Sequence, residues 1–218
     1  MALERLKRAV AHLAPLTRFL FGVRVPHLTE QGHWDFATLV LFSELKKRVS
    51  PGSRVLELGT GEAGTLSIAM ARRVSAHYLA LDLAEEAVGS ARRVATANDV
   101  TVEFLRSDLL AAVPPDREFD LTFFNPPYLP RTQSDQWKPF GEPSRVFDGG
   151  EDGVDVIRRF FAEAAHRGPR LGTILIGINR QAVSEAAVAR IAIATGFSPA
   201  GVSRALHPGT VLAFKASP

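Results

Sequence analysis

Glu57, Asp82, Asp108 and Asn125 each stand at or just past the end of a short apolar run, and all four side chains can take part in chemistry. The stretch Gly59-Thr60-Gly61-Glu62-Ala63-Gly64 follows the first of these runs. Its glycines let the backbone turn tightly and approach a ligand, and the helix it opens offers free N–H groups. Spacing alone leaves the ligand open: G-x-G-x-x-G with an acid about 20 residues on is also the fingerprint of a nicotinamide dinucleotide site. A tight turn without a ligand would look the same. Glu57, two residues before the first glycine, favours a different cofactor. A carboxylate there can help hold a cationic amino-acid moiety, directly or through water, and a dinucleotide has no ammonium. Asp82 suits ribose hydroxyls on either reading, and Asp108 is placed to accept from an adenine amino group. Each acid alone reads as a surface or capping group. At three successive run ends they read as a site for S-adenosyl-L-methionine, with Glu57, Gly59, Thr60, Gly61, Asp82, Leu83, Asp108, Leu109 and Asn125 as the expected cofactor contacts.

Asn125-Pro126-Pro127-Tyr128 is the most specific motif. Two prolines stiffen the turn and remove two backbone donors, leaving carbonyl acceptors. The Asn125 side-chain oxygen and the Pro126 carbonyl can then grip both hydrogens of an –NH2 group, while Tyr128 stacks on a flat acceptor. Such a grip suits an amide or adenine amine, a poor nucleophile whose lone pair must be turned toward the methyl donor. Asn125, Pro126 and Tyr128 are therefore the expected catalytic residues of an N-methyl transfer. A Pro-rich turn without chemistry is the plainer alternative.

These residues need a scaffold that brings run ends together. From residue 54 apolar strands alternate with helical patterns: strands at 54–59, 78–83, 101–105, 119–124 and 172–178, helices at 64–73, 84–97, 153–166 and 181–195. Near-continuous apolar strands suit a sheet covered on both faces, and the alternation predicts right-handed parallel crossovers. Two last strands, 198–206 and 210–215, flank His207-Pro208-Gly209 with no helix between. That is a hairpin signal, and it predicts an antiparallel strand at the end of the sheet. The expected fold is α/β, a doubly wound, mostly parallel, seven-stranded sheet with a C-terminal antiparallel hairpin. Its ligand lies beyond the carboxyl ends of the strands.

Residues 1–50 read as a short N-terminal helical cap, and 51–218 as the catalytic domain. The cap has one helix near 3–20, bent or broken around Pro15, and another near 35–49. Between them Gly22 to His33 is irregular, and His27 to Trp34 is expected to fold over the site mouth, where His33 and Trp34 either line an acceptor pocket or pack as ordinary loop residues. Pro126 to Gly153, with Trp137, Phe140 and Phe147, is a long connection of the kind that usually serves function.

The 218 residues carry a net charge of +3. Residues 1–50 hold eight Lys/Arg against four Asp/Glu, a basic front end that fits nucleic acid, an acidic partner or simply a solvated helix face. Cysteine is absent, which removes disulfides and thiolate metal ligands and agrees with a reducing cytoplasm. The six histidines show no metal-ligand spacing, so no metal is expected. Neither a membrane span nor a secretory signal is predicted: no stretch approaches the 18 or so consecutive apolar residues of a span, and Arg5, Lys7, Arg8 and Arg18 interrupt the apolar positions of the first 20 residues.

With these motifs the chain resembles the class I methyltransferases that carry an NPPY signature, and most of all the HemK-type glutamine N5-methyltransferases of peptide-chain release factors. The resemblance covers roughly 50–215. Glu57-Leu58-Gly59-Thr60-Gly61 matches that family's first motif. Glu142-Pro143-Ser144-Arg145 and Gly149-Gly150-Glu151-Asp152-Gly153 echo its stretch after NPPY. The resemblance implies that Asn125 to Tyr128 hold the acceptor amide and that Asp82 and Asp108 bind ribose and adenine. It also implies a protein glutamine as acceptor and a release-factor-like protein as partner. A nucleic-acid amino group or a small molecule stands as the alternative. Three departures bear on the acceptor: residues 1–50 are short for the family's separate helical substrate domain, Ala63 replaces a usual glycine, and Gly177 stands where a glutamate is common.

Overall fold

The computed structural model describes residues 14–26, 34–134 and 147–217. Of the helix expected over 3–20, residues 3–13 lie outside the described residues, and the remainder is α1, Ala14–Phe21. His27 to His33, Trp137, Phe140 and residues 142–145 lie outside the described residues.

The sheet has seven strands: β1 Arg54–Leu58, β2 His77–Asp82, β3 Glu103–Arg106, β4 Leu121–Phe124, β5 Thr173–Asn179, β6 Phe197–Arg204 and β7 Gly209–Ala216. Their order is β3-β2-β1-β4-β5-β7-β6. The first five are parallel, and β7 runs antiparallel to both β5 and β6. The hairpin ends the sheet, as the sequence had suggested, and of its two strands the later one, β7, lies inside while β6 forms the edge. The reason is burial. Gly209 through Phe214 of β7 are buried, whereas β6 is exposed along most of its length and holds Pro199 beside a register irregularity. The apolar strand must have neighbours on both sides; a proline is tolerated at the edge.

Two apolar layers sandwich the sheet. Alternation along β1 sends Val55 to one and Leu56 and Leu58 to the other. The first layer receives α1, α2 (Phe36–Arg48), α3 (Thr65–Ala71) and α4 (Glu85–Ala97). The second receives α6 (Asp155–Ala165) and α7 (Glu185–Ala194), the four-residue α5 (Arg131–Ser134) lying between β4 and α6 in sequence. Phe21 of α1 and Leu41 and Leu45 of α2 are fully buried in the first layer, sharing its core with Val55, Ile68 and Phe123.

Candidate active site

A cleft of about 650 Å³ opens at the carboxyl ends of β1 to β4, with the start of α2 forming its other wall. All the expected site residues line it, from Glu57 through Tyr128. Parallel strands end on one edge of the sheet, so residues far apart in sequence meet there.

The Gly-rich turn is held from two sides. Gly61 adopts φ +65°, and none of the described residues comes within 4 Å of where its Cβ would stand. Its N–H donates to Asp82 Oδ2 at 2.9 Å, and the Ala84 N–H donates to Asp82 Oδ1 at 3.0 Å. Asp82 thereby ties the turn to the end of β2, while carboxylate oxygens retain capacity for further donors. Glu57 lies beneath the turn, 5% exposed, and its Oε2 accepts from Thr60 Oγ1 at 3.0 Å and from the Ser67 hydroxyl. Burial pushes the Glu57 carboxyl up to about 7, against the pull of the Ser67 and Thr60 hydrogen bonds and helped by the nearby Asp82 charge. The floor of the cleft therefore carries a carboxyl that a neighbouring cation would readily ionise.

At the β3 end, Asp108 pairs with Arg159 of α6, Nη2 to Oδ2 at 2.7 Å, both half exposed. Arg159 lies 51 residues away, and no local pattern in the sequence marks it. Leu83 leaves 55% of its surface bare, an apolar face toward the cleft for a flat ring. Leu109 is buried and takes φ +47°.

Asn125 donates through Nδ2 to Asp35 Oδ1 and to Thr38 Oγ1, each at 3.2 Å. Its Oδ1 is buried and has no hydrogen-bond partner among the described residues. The Tyr128 hydroxyl donates to Asp35 Oδ2. Asp35 caps α2, accepting from Thr38 N at 2.8 Å in a reciprocal capping box. The sequence reading missed Asp35 and Thr38. A cap signal before Phe36 was available, but nothing local could join it to a motif 90 residues on. Trp34 also lines the cleft, as expected, and donates from Nε1 to Thr17 Oγ1 at 3.0 Å.

Tyr128 is seated by the stretch Gly149 to Gly153. A Cβ on Gly149 would stand 2.8 Å from Tyr128 Cα, and one on Gly153 2.6 Å from Tyr128 O. Just beyond, Leu129 bridges Asp148: Leu129 N–H donates to Phe147 O at 2.9 Å and Gly149 N–H to Leu129 O at 2.8 Å. This tie closes the base of the long connection. Gly177 faces Asn125 from β5, close under Leu41.

Comparison with known proteins places this arrangement. The model of the methyltransferase small domain matches residues 27–137, half of the chain. The chain belongs to the methyltransferase small domain family. Release factor glutamine methyltransferase of Koribacter versatilis is 38% identical over 110 residues, covering 48% of this chain and 39% of that relative. The enzyme of the same name from Deinococcus radiodurans is 37% identical over 125 residues, covering 56% and 43%. The chain thus spans less than half the length of these relatives. A methyltransferase structure from Pyrococcus furiosus superposes with a TM-score of 0.67 at 18% identity, covering 97% of this chain and 96% of that one. A T. thermophilus 16S rRNA N2 methyltransferase, solved with AdoMet and guanosine, gives 0.61 at 23% identity, covering 86% and 44%. At these identities the two structures bear on the fold alone, which they share with this methyltransferase domain.

S-adenosylmethionine is the cofactor of the family, and the cleft suits it. An ionisable carboxyl lies at the floor, open space stands over Gly61, a bare leucine face follows Asp82, and a buried acceptor waits at Asn125. Among the described residues no helix is long and apolar enough to cross a membrane.

Proposed function

We propose that this methyltransferase-family chain methylates a planar amide or amino nitrogen, with a protein glutamine side chain as the favoured acceptor. The observation that carries the proposal is the buried, unpartnered Asn125 Oδ1, whose own –NH2 is committed elsewhere. A buried acceptor without a donor costs roughly 1–3 kcal/mol, and an N–H of the acceptor substrate would relieve it. The names of the sequence relatives favour glutamine within that class.

The bound cofactor supplies an electrophilic methyl group on a sulfonium. In this proposal Glu57 and the Gly59 to Gly61 turn, with Thr60, hold its amino-acid end. Asp82 takes the ribose, and Asp108 with Leu83 and Leu109 takes the adenine. Asn125 Oδ1 and the Pro126 carbonyl accept from the acceptor –NH2, turning its lone pair toward the methyl group, and Tyr128 offers its ring face. Because positive charge disperses during transfer, no strong base is needed: the methyl–sulfur bond breaks as the nitrogen–methyl bond forms, and the nitrogen's surplus proton then passes to water. The contribution of the protein is orientation and preorganised dipoles. Residues 1–50 serve as a cap that recognises the acceptor, a release-factor-like protein. The absence of cysteine goes with a cytoplasmic setting.

The test is incubation with methyl-labelled cofactor and separated protein, RNA and small-molecule fractions of the source cell. Label on a protein glutamine is the expected result. Label confined to RNA bases would move the acceptor to the adenine or guanine alternative, and no transfer to any fraction would overturn the reading. Deleting residues 1–20 should impair acceptor methylation more than cofactor affinity; unchanged acceptor kinetics would end the role given to the cap.

A further inference from the structure

An asparagine amide is nearly two-fold in shape, and rotation by a half turn exchanges a donor for an acceptor. What Asn125 presents to a substrate therefore depends on what its neighbours permit. The two groups that face its inner atom are Asp35 Oδ1 and Thr38 Oγ1. An ionised carboxylate accepts only. The Thr38 hydroxyl gives its one hydrogen to Asp35 Oδ1 at 2.9 Å, so toward Asn125 it also can only accept. Both hydrogens of Nδ2 are thereby used, and the opposite orientation would set Oδ1 against two acceptors. The same carboxylate takes the hydrogen of the Tyr128 hydroxyl on its other oxygen, so that hydroxyl, too, does not donate to the cleft.

The geometry points to Asp35 as a positioning residue that locks Asn125 and Tyr128 into acceptor-only orientations, and so restricts the substrate to groups that bring N–H donors. This deepens the proposed N-methyl transfer and rests on it. A primary amide or exocyclic amine satisfies such a site. A carboxylate or an unprotonated ring nitrogen would place acceptor against acceptor. The lock comes from the cap segment that precedes the cofactor motifs. Asp35 is held in turn by α2, accepting from the Thr38 N–H as an N-cap, so the orientation is built into the helix start.

Serine and asparagine separate the two roles of this residue. Both cap a helix about as well as aspartate, but serine is too short to reach Asn125 and Tyr128 together. Asparagine keeps an oxygen on the Thr38 N–H and Asn125 while its nitrogen faces Tyr128, whose hydroxyl can turn to accept. The first readout is the Asn125 side-chain 15N–1H2 resonance, assigned by its loss in Asn125→Ala, with its exchange rate against water. It is expected to be protected in the native protein and in Asp35→Asn, and to exchange at least tenfold faster in Asp35→Ser at an unchanged thermal midpoint. The second is single-turnover transfer from labelled S-adenosylmethionine to N-acetylglutaminamide. Asp35→Ser should lose about 100-fold in rate, the scale of a lost preorganised partner, with unchanged cofactor affinity, and Asp35→Asn should recover most of it. Native exchange and native rate in Asp35→Ser, or no recovery in Asp35→Asn, would overturn the inference. If the native protein transfers nothing to the probe, the functional reading fails, and amide exchange still decides whether Asp35 sets the orientation.

Discussion

Gly177 of β5 lies under Leu41 of α2, so close that a Cβ on the glycine would stand 2.7 Å from Leu41 Cδ1 and 3.2 Å from Asn125 Oδ1. The space a side chain at position 177 would need is filled here by Leu41 of α2. Gly177→Ala should therefore overpack the contact, lowering stability by about 1–3 kcal/mol. Leu41→Val removes the clashing δ carbon. The double variant should be more stable than the two single losses predict, by at least about 0.5 kcal/mol. Urea denaturation of the four proteins measures this, and strict additivity would contradict the contact.

Asn125→Ala deletes the orphaned acceptor and should slow single-turnover transfer by about 10²–10³, by analogy with deletion of one oxyanion-hole donor. Cofactor affinity should fall far less, since the backbone of the turn is retained. Tyr128→Phe keeps the ring face and should be milder than Tyr128→Ala. Near-native transfer by Asn125→Ala would remove the basis of the mechanism.

Asp82→Ala releases the Gly61 and Ala84 N–H groups together and removes the partner expected for ribose. A charge-assisted hydrogen bond is worth about 1.5–3 kcal/mol, which corresponds to roughly 10–150-fold in the dissociation constant. Calorimetry with S-adenosylmethionine or its demethylated product reads the loss. The same titration with a nicotinamide dinucleotide should give no heat of binding.

Glu57 makes stability depend on pH in an unusual direction. Its carboxyl is pushed up to about 7 in the folded protein, from an ordinary value of 4.5. Between those values the folded state holds a proton that the unfolded state has lost, so stability falls as pH rises across the window and levels off above about 7. The full effect is on the order of 3 kcal/mol. Glu57→Gln should flatten that slope while keeping acceptors for Thr60 and Ser67. Urea midpoints for both proteins on either side of the window test this; parallel pH profiles would exclude Glu57 as the source. A cationic ligand over Glu57 favours its ionised form, so cofactor affinity should rise with pH up to about 7.

The strands and the four strand ends that line the cleft were legible because both rest on local signals: apolar runs for β1 to β5, and glycine, acid or proline at or just past each of those ends. Strand order at the far edge was not. His207-Pro208-Gly209 announces a turn, but only the burial of β7 against the exposure of β6 decides which strand lies inside. Asp35, Thr38 and Arg159 escaped for a related reason. Each acts on a residue 51 to 90 positions away, and a single sequence carries no mark of such a pairing. Glu57 was singled out as a ligand for an ammonium; its burial against Ser67 and Thr60 is a property of the packed α3 and could not be read from β1 alone.

The bridge between Leu129 and Asp148 separates the length of the long connection from the position of Tyr128. A segment whose two ends are already pinned can be exchanged, shortened or extended with little thermodynamic consequence, since doubling a flexible loop costs only about 0.6 kcal/mol. Tyr128 thus takes its seat from Leu129, Asp148 and Gly149, which are tied to one another directly.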